Sequence, residues 1–550
     1  MAQADPPGAW LSRVTKTKGG LIKQRAVAVA ALALLLAPSA RLAWNSRDIP
    51  HLGYFHDDSL YWVCAKSLAE GSSYRILSLP DQPYQTKYPP LYPWLLSLIW
   101  RIRPAFPDNL ALAALLSWLL LPALVILANL VYSDLGLPRL HRWALCGWLA
   151  LNPNLAFFSI NLLSELLFCC LLMGFLILAE RSRNSASGSA KAAAAGLIAG
   201  AAYLTRAAAI PLLISAPLCF LLRSQWRKAA MSLVGVGAAI LGWWFWARAH
   251  QSASSDVISL YYTGYFSFHL SSLSWRDAPA FIWKNLQDLL SGTGSLIVFH
   301  LGDSLWSNNL LRILAVLAII GTIRLTRTGG VSQYSVFAAG YLALLLLWHF
   351  PPNERFILPA FPLLLAGLSV ELRYIAARLL PSFRSPRLAP RLAAAVLVAG
   401  LGASAWVAAG RAAGALGRLL PDLVAEHRQR LAGLRLAYDW ISRNTAPDAA
   451  FLAYHDPVLY LYTGRRGARL IVPVAPYYRG DRQAVLRPFH ALAEFARAHN
   501  LSHLLLTSGD FQHGEWPAGE PLDIRRLVGA DKAFRLLYES PTASVYRLEP

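Results

Sequence analysis

The sequence predicts an all-α polytopic membrane bundle followed by a small α/β domain outside the bilayer. Three observations carry this. Of 550 residues, 56% are hydrophobic and only 15% are charged, whereas a soluble globular chain is about a quarter charged. Several windows approach or exceed the roughly 20 apolar residues that a helix needs to cross a bilayer. From residue 411 the charges return, and short strand-like runs alternate with amphipathic helical ones.

The first element, 1–25, is basic, with Arg13, Lys16, Lys18, Lys23 and Arg25 ahead of the apolar run 26–37. It resembles a signal sequence with Ser39-Ala40 as a cleavage-like site, but so many later spans favour an uncleaved first helix. Apolar candidates lie at 26–44, 108–131, 143–157, 162–180, 192–205, 209–222, 229–247, 307–323, 334–349, 356–373 and 391–410. Loops holding Arg139/Arg142, Arg181/Arg183/Lys191, Arg223/Arg227/Lys228, Arg324/Arg327 and 373–391 are short and basic, which places them in the cytoplasm. Segment 89–103 is short, bracketed by prolines and rich in Trp and Tyr, and suits an interfacial helix better than a span. Eleven transmembrane helices result, in a membrane domain over 26–410 of a cell (inner or plasma) membrane. The N-terminus is then cytoplasmic and the C-terminus extracytoplasmic.

The net charge of +21 belongs, on this topology, to basic loops facing the cytoplasm and anionic membrane lipids. No zinc spacing, basic helix or RNA-binding run supports nucleic acid as a partner. The five cysteines, at 64, 146, 169, 170 and 219, form neither a metal-ligand spacing nor a disulfide framework. In the extracytoplasmic segment 411–550, strands are expected at 450–454, 470–474, 503–507, 533–538 and 544–548, with helices at 423–443 and 483–499. That segment has no glycine-rich phosphate loop and no triad pattern, so no chemistry is assigned to it.

The topology gathers Asp57, Asp58, Lys87, Glu165, Arg206 and Arg355 at the outer face, together with the loop 248–306 and its His300 and Asp303. The acidic pair precedes a helix-like stretch, 59–70, that ends at Gly71, so one carboxylate can cap it. Asp58 suits the cap, and Asp57 remains to draw a proton from a hydroxyl. Adjacent carboxylates also suit magnesium, calcium or manganese, which makes Asp58 a candidate metal ligand on a weak signal. Tyr61 shares a helical face with Asp57 and can orient it. Lys87 is followed by Tyr88-Pro89-Pro90, which stiffens the chain around it; such a lysine either snorkels to headgroups or holds a phosphate. Arg206 and Arg355 run against the charge bias of their side, as interface anchors or as fork-shaped clamps on phosphate oxygens. Glu165 at the end of a span is functional by default, or it compensates a helix dipole. His300, Asp303 and His349 carry weaker signals.

The order of these elements resembles the membrane glycosyltransferases of the C-type fold, and in particular family 39, the protein O-mannosyltransferase and lipid A aminoarabinose transferase group. Asp57-Asp58 with Tyr61 matches that family's acidic element in the first outer loop, here 45–107. Lys87-Tyr88-Pro89-Pro90-Leu91 matches its Lys-Pro-Pro-Leu, with Tyr88 inserted. Ser164-Glu165-Leu166-Leu167-Phe168, Leu204-Thr205-Arg206 and Arg355-Phe356-Ile357-Leu358-Pro359 are similar to three further family runs. The resemblance covers about 25–380. In the tail, Trp440-Ile441-Ser442-Arg443-Asn444-Thr445-Ala446-Pro447-Asp448-Ala449 and Tyr460-Leu461-Tyr462-Thr463-Gly464-Arg465-Arg466 look like outer domains of bacterial members.

The resemblance implies a transferase that moves a sugar from a polyprenyl-phosphate-linked donor to an acceptor hydroxyl on a lipid, glycan or protein, with inversion, at the outer face. Asp57 and Asp58 would be catalytic, with Asp57 the general base. Lys87, Arg206 and Arg355 would bind the donor phosphate, and Tyr61 and Glu165 would support them. No nucleotide or organic cofactor is implied, and a divalent metal ion stays open. Two alternatives stand beside this. A lipid or glycan flippase predicts midplane charges, broken helices and an internal repeat, none of which is evident in the sequence. An O-antigen ligase or polymerase depends on large outer loops, and 248–306 carries no assignable motif.

Overall fold

A computed structural model describes residues 9–49, 51–183, 185, 188–252, 256–264, 268, 275–299, 305–327, 332–348, 352–383, 395, 402–403, 405–471, 481–508, 510 and 524–549. Among these, five helical segments are long and apolar enough to cross a membrane: Ala26–Asn45, Leu110–Asp134, Trp226–His250, Asn308–Arg327 and Glu354–Arg378. Most of the expected span 391–410, and His300, Asp303 and His349, lie outside the described residues.

The chain opens with α1 (Ala9–Asn45), α2 (His56–Ala69), α3 (Leu91–Ile102) and α4 (Leu110–Asp134). Helix α3 falls where an interfacial helix is expected. It buries Tyr92, Leu96, Ile99 and Trp100 in one apolar cluster with Tyr61, Trp62 and Ala65 of α2. The expected span 143–157 is two helices, α5 (Arg139–Ala150) and α6 (Pro153–Ser159). The break is local chemistry: Asn152 accepts the backbone N–H of Asn154 at 3.0 Å and of Leu155 at 3.2 Å, and Pro153 opens the new helix.

Next come α7 (Glu165–Arg183), α8 (Gly188–Thr205), α9 (Ile210–Leu221), α10 (Trp226–His250) and α11 (Val257–Thr263). Then follow α12 (Ala278–Val298), α13 (Leu305–Arg327), α14 (Gln333–Leu346), α15 (Glu354–Ile357) and α16 (Phe361–Phe383). Helix α8 has small residues on its buried face, with Ala192, Ala195, Ala199 and Ala202 fully buried. Between lipid-facing helices there is little hydrophobic drive, so close backbone approach supplies the packing energy. A Cβ on Gly196 would run into the carbonyl of Ser232 in α10, and one on Gly235 into that of Ala193 in α8.

The C-terminal elements are α17 (Leu420–Asn444), β1 (Ala450–Ala453), α18 (Asp456–Thr463), β2 (Arg466–Ala468), α19 (Arg482–His490), α20 (Leu492–Ala498), β3 (His503–Thr507), α21 (Ile524–Ala530), β4 (Phe534–Glu539) and β5 (Ala543–Leu548). They form one five-stranded sheet, ordered β2-β1-β3-β5-β4. The β1–β2 and β1–β3 pairs are parallel, and β3–β5 and β4–β5 are antiparallel. A strand, β2, forms just ahead of the one expected at 470–474, of which residues 472–474 lie outside the described residues. Gly464, left-handed at φ 70°, caps α18 and turns the chain so that Ala450 pairs with Arg466. Leu470 and Ile471 are buried in the core beyond the ladder. The expected helix 483–499 is interrupted at Ala491, three residues after Pro488, where α19 gives way to α20.

This sheet rests on the first loop. Leu431 and Tyr438 of α17, Phe451 of β1 and Leu459 of α18 share the cluster of α2 and α3. The segment carrying Asp57 is thereby enclosed between bundle and sheet. Replacing Gly196 with leucine should overpack the α8–α10 contact at a cost of about 1–3 kcal/mol. Thermal melting in detergent should show a lower Tm than for the control Leu197→Ala, whose side chain is exposed; equal Tm values would contradict the close crossing.

Candidate active site

Helix α2 begins with its own anchor. Asp58, fully buried, accepts the backbone N–H of Gly53 at 3.0 Å, Tyr54 at 3.1 Å and Phe55 at 2.9 Å, and also that of Ser59. From the third position of the helix it reaches back to the backbone of the N-cap Phe55 and closes the loop 53–55 over the helix N-terminus. Burial pushes its carboxyl up to about 7, against the pull of these donors. With both oxygens taken by the backbone, Asp58 does not fit a cation ligand. No group of three or more His, Cys, Asp or Glu suited to a metal occurs among the described residues.

Asp57 faces the other way. Its Oδ1 accepts the Tyr88 hydroxyl at 2.6 Å, and its Oδ2 accepts Nη2 of Arg355 at 2.7 Å. Arg355 is the second residue of α15, where Asn353 caps its N–H, and its Nε also donates to Oε1 of Glu165. The same Oε1 accepts Nη1 of Arg206 at 2.7 Å, and Arg206 reaches Ser164 Oγ at 3.2 Å. Glu165 is the first residue of α7, and Arg206 follows the last residue of α8. Each charge therefore sits at the helix end whose dipole favours it. Two carboxylates and two guanidiniums from four separated stretches of chain meet in one partly dry cluster.

The charges set one another's state. Burial works to raise the Asp57 carboxyl, but Arg355, the Tyr88 hydroxyl, Lys87 and Arg206 together hold it well below the usual carboxylate range. Asp57 is ionised at any physiological pH. Lys87 stands on the neighbouring loop, where Gln85 Oε1 accepts the backbone N–H of Lys87 at 2.9 Å and of Tyr88 at 3.1 Å. Its Nζ donates to the carbonyl of Tyr261 in α11 at 3.0 Å. Burial lowers it to about 8, with Asp57 opposing.

Asp57, Glu165, Arg206 and Arg355, expected on one face, are bonded into one network, with Lys87 in electrostatic reach of Asp57. The arginines contact Glu165 and Asp57. Tyr61, expected to orient Asp57, instead pairs its hydroxyl with Ser164 Oγ at 3.3 Å and sets its ring edge-on to Tyr88, with centroids 5.3 Å apart. The hydroxyl on Asp57 belongs to Tyr88, whose sequence signal was its insertion between Lys87 and the two prolines. A second contact had no signal at all. Asp456, fully buried at the start of α18, accepts from Tyr262 at 2.5 Å and Ser78 at 3.1 Å, and contacts His56 Nε2 at 3.0 Å.

No family model matches the chain, and neither does any curated protein. Solved structures do. The crystal structure of ArnT from Cupriavidus metallidurans bound to undecaprenyl phosphate is similar over 94% of this chain and 97% of its own, at 14% identity and a TM-score of 0.51. The Archaeoglobus fulgidus oligosaccharyltransferase in complex with Zn and sulfate is similar over 87% of this chain and 68% of its own, at 14% identity and a TM-score of 0.51. The chain therefore has the C-type fold of membrane glycosyltransferases.

Proposed function

We propose that this protein transfers a sugar from a polyprenyl-phosphate-linked donor to an acceptor hydroxyl, with inversion, and that Asp57 is the general base. The observation that carries the reading is an ionised Asp57, fixed on two sides by Tyr88 and Arg355, in electrostatic reach of the half-buried cation Lys87. The similar ArnT structure holds undecaprenyl phosphate, which supports a lipid-phosphate donor. The acceptor oxygen attacks the anomeric carbon from the face opposite the phosphate as the carbon–oxygen bond to phosphate breaks. The hydroxyl becomes acidic as the new bond forms, and its proton passes to Asp57. A carboxylate with so low an affinity for protons takes one only late in that process. Negative charge grows on the departing phosphate, where Lys87 stabilises it. Arg206 and Arg355 act through Glu165 and Asp57, balancing and holding the base.

Asp57→Asn in proteoliposomes should lower transfer from an undecaprenyl-phosphate-linked sugar by about 10²–10⁴-fold in protein that still melts cooperatively above the assay temperature; wild-type turnover would remove Asp57 as the base. Tyr88→Phe takes away a donor that favours the charged form of Asp57, so its pKa rises. The acid limb of the rate profile should then move to higher pH, and an unmoved limb would contradict the Tyr88 contact. Donor binding needs the protonated form of Lys87, so the donor KM should rise as pH passes about 8. Lys87→Arg should flatten that rise, because a guanidinium keeps its proton; a wild-type KM independent of pH would place the phosphate elsewhere.

A further inference from the structure

Arg206 and Arg355 are engaged with Glu165 and Asp57, which leaves the question of what joins Lys87 at the donor phosphate. We propose that Arg469, from the C-terminal segment, is the second cation of that site, so that the phosphate of a polyprenyl-phosphate donor is gripped between the first loop and the sheet. The inference rests on the lipid-phosphate transferase reading given above.

Three features point to it. The first is convergence on Tyr261. Lys87 Nζ lies 4.3 Å from the centroid of that ring, and the Arg469 guanidinium carbon 5.7 Å from it, with Arg469 Nη1 donating to the Tyr261 hydroxyl at 3.4 Å. The second is how the cations are held. Lys87 also lies 5.2 Å from the Tyr88 ring, and Arg469 4.4 Å from that of Tyr454. An aromatic face positions a cation through its ring quadrupole. Asp57 acts on Lys87 and Asp510 is within electrostatic reach of Arg469, and the two cations also oppose each other. Bringing like charges together in a dry site costs energy that an anion between them recovers.

The third feature is that the fold places Arg469 deliberately close. It follows β2 directly, is 5% exposed, and β1 leads into Tyr454 beside it. Helix α11, which carries Tyr261, is tied to the Lys87 loop by Thr86 Oγ1, which donates to the Thr263 carbonyl at 2.8 Å. A guanidinium offers a phosphate two parallel donors where the ammonium of Lys87 offers a point charge.

The test uses the full chain in phosphatidylcholine nanodiscs, titrated with undecaprenyl phosphate. Arg469→Gln should weaken binding by about tenfold or more and raise the donor KM, while Arg469→Lys restores most of the affinity. Unaltered binding in Arg469→Gln beside weakened binding in Lys87→Gln would overturn the role of Arg469 and leave the donor reading intact. Unaltered binding in both would overturn the donor reading itself. If phosphatidylglycerol or inorganic phosphate loses affinity in parallel with undecaprenyl phosphate, the site is a general anion site and the inference fails. Solid-state NMR on the wild type covers the case in which Arg469→Gln does not fold. The phosphorus of bound undecaprenyl phosphate should show a dipolar contact to an arginine guanidinium nitrogen that survives Arg466→Lys and vanishes in Arg469→Lys, and a wild type without that contact overturns the inference.

Discussion

Arg355 is the contact on which the site depends, because its guanidinium spans Asp57 of the first loop and Glu165 at the head of α7. Moving such groups out of water is costly, and mutual attraction offsets that cost only when every charge has a partner. Here Glu165 is fully buried and shared by Arg206 and Arg355, whose side chains are 13% and 11% exposed. Removing one partner from such a pair costs about 3–5 kcal/mol, because a buried charge is left behind. The network therefore fixes α7, α8, α15 and the first loop relative to one another. It also sets the state of Asp57, whose proton affinity is low because these neighbours outweigh its desolvation.

The positions of the site residues were legible to the extent that they lie next to hydrophobic spans. Glu165, Arg206 and Arg355 each sit at or beside the end of an apolar run and Asp57 lies in the loop after the first one, so counting spans and loop charges puts them on one side. Their pairing was not legible. Whether an arginine faces a phosphate or a carboxylate depends on side-chain direction and on contacts hundreds of residues apart, which local patterns do not encode. Tyr88 shows the same limit at short range, for as an inserted residue it disturbed a motif, and only the fold shows it reaching Asp57.

In the fold, period and turn chemistry were reliable where the backbone was decided locally. Strand β3 falls on its expected residues, and α2 begins one residue ahead of the acidic pair, whose Asp58 caps it. The exceptions have local causes that outweigh apolar character. Asn152-Pro153 ends one helix and starts another, and Gly464 turns the chain directly into β2. Asp456, buried against His56, Tyr262 and Ser78, ties the sheet to the residue beside Asp57. The C-terminal segment, assigned no chemistry from sequence, is thus part of the wall around the candidate base.

The most direct measurement is a structure of the protein with undecaprenyl phosphate bound, solved by cryo-electron microscopy in a lipid nanodisc. The phosphate should lie within hydrogen-bond distance of Lys87 Nζ, with Asp57 still held by Tyr88 and Arg355 and its carboxylate facing the space that the sugar would occupy. A phosphate bound to Arg206 and Arg355, with Glu165 and Asp57 displaced from them, would contradict it.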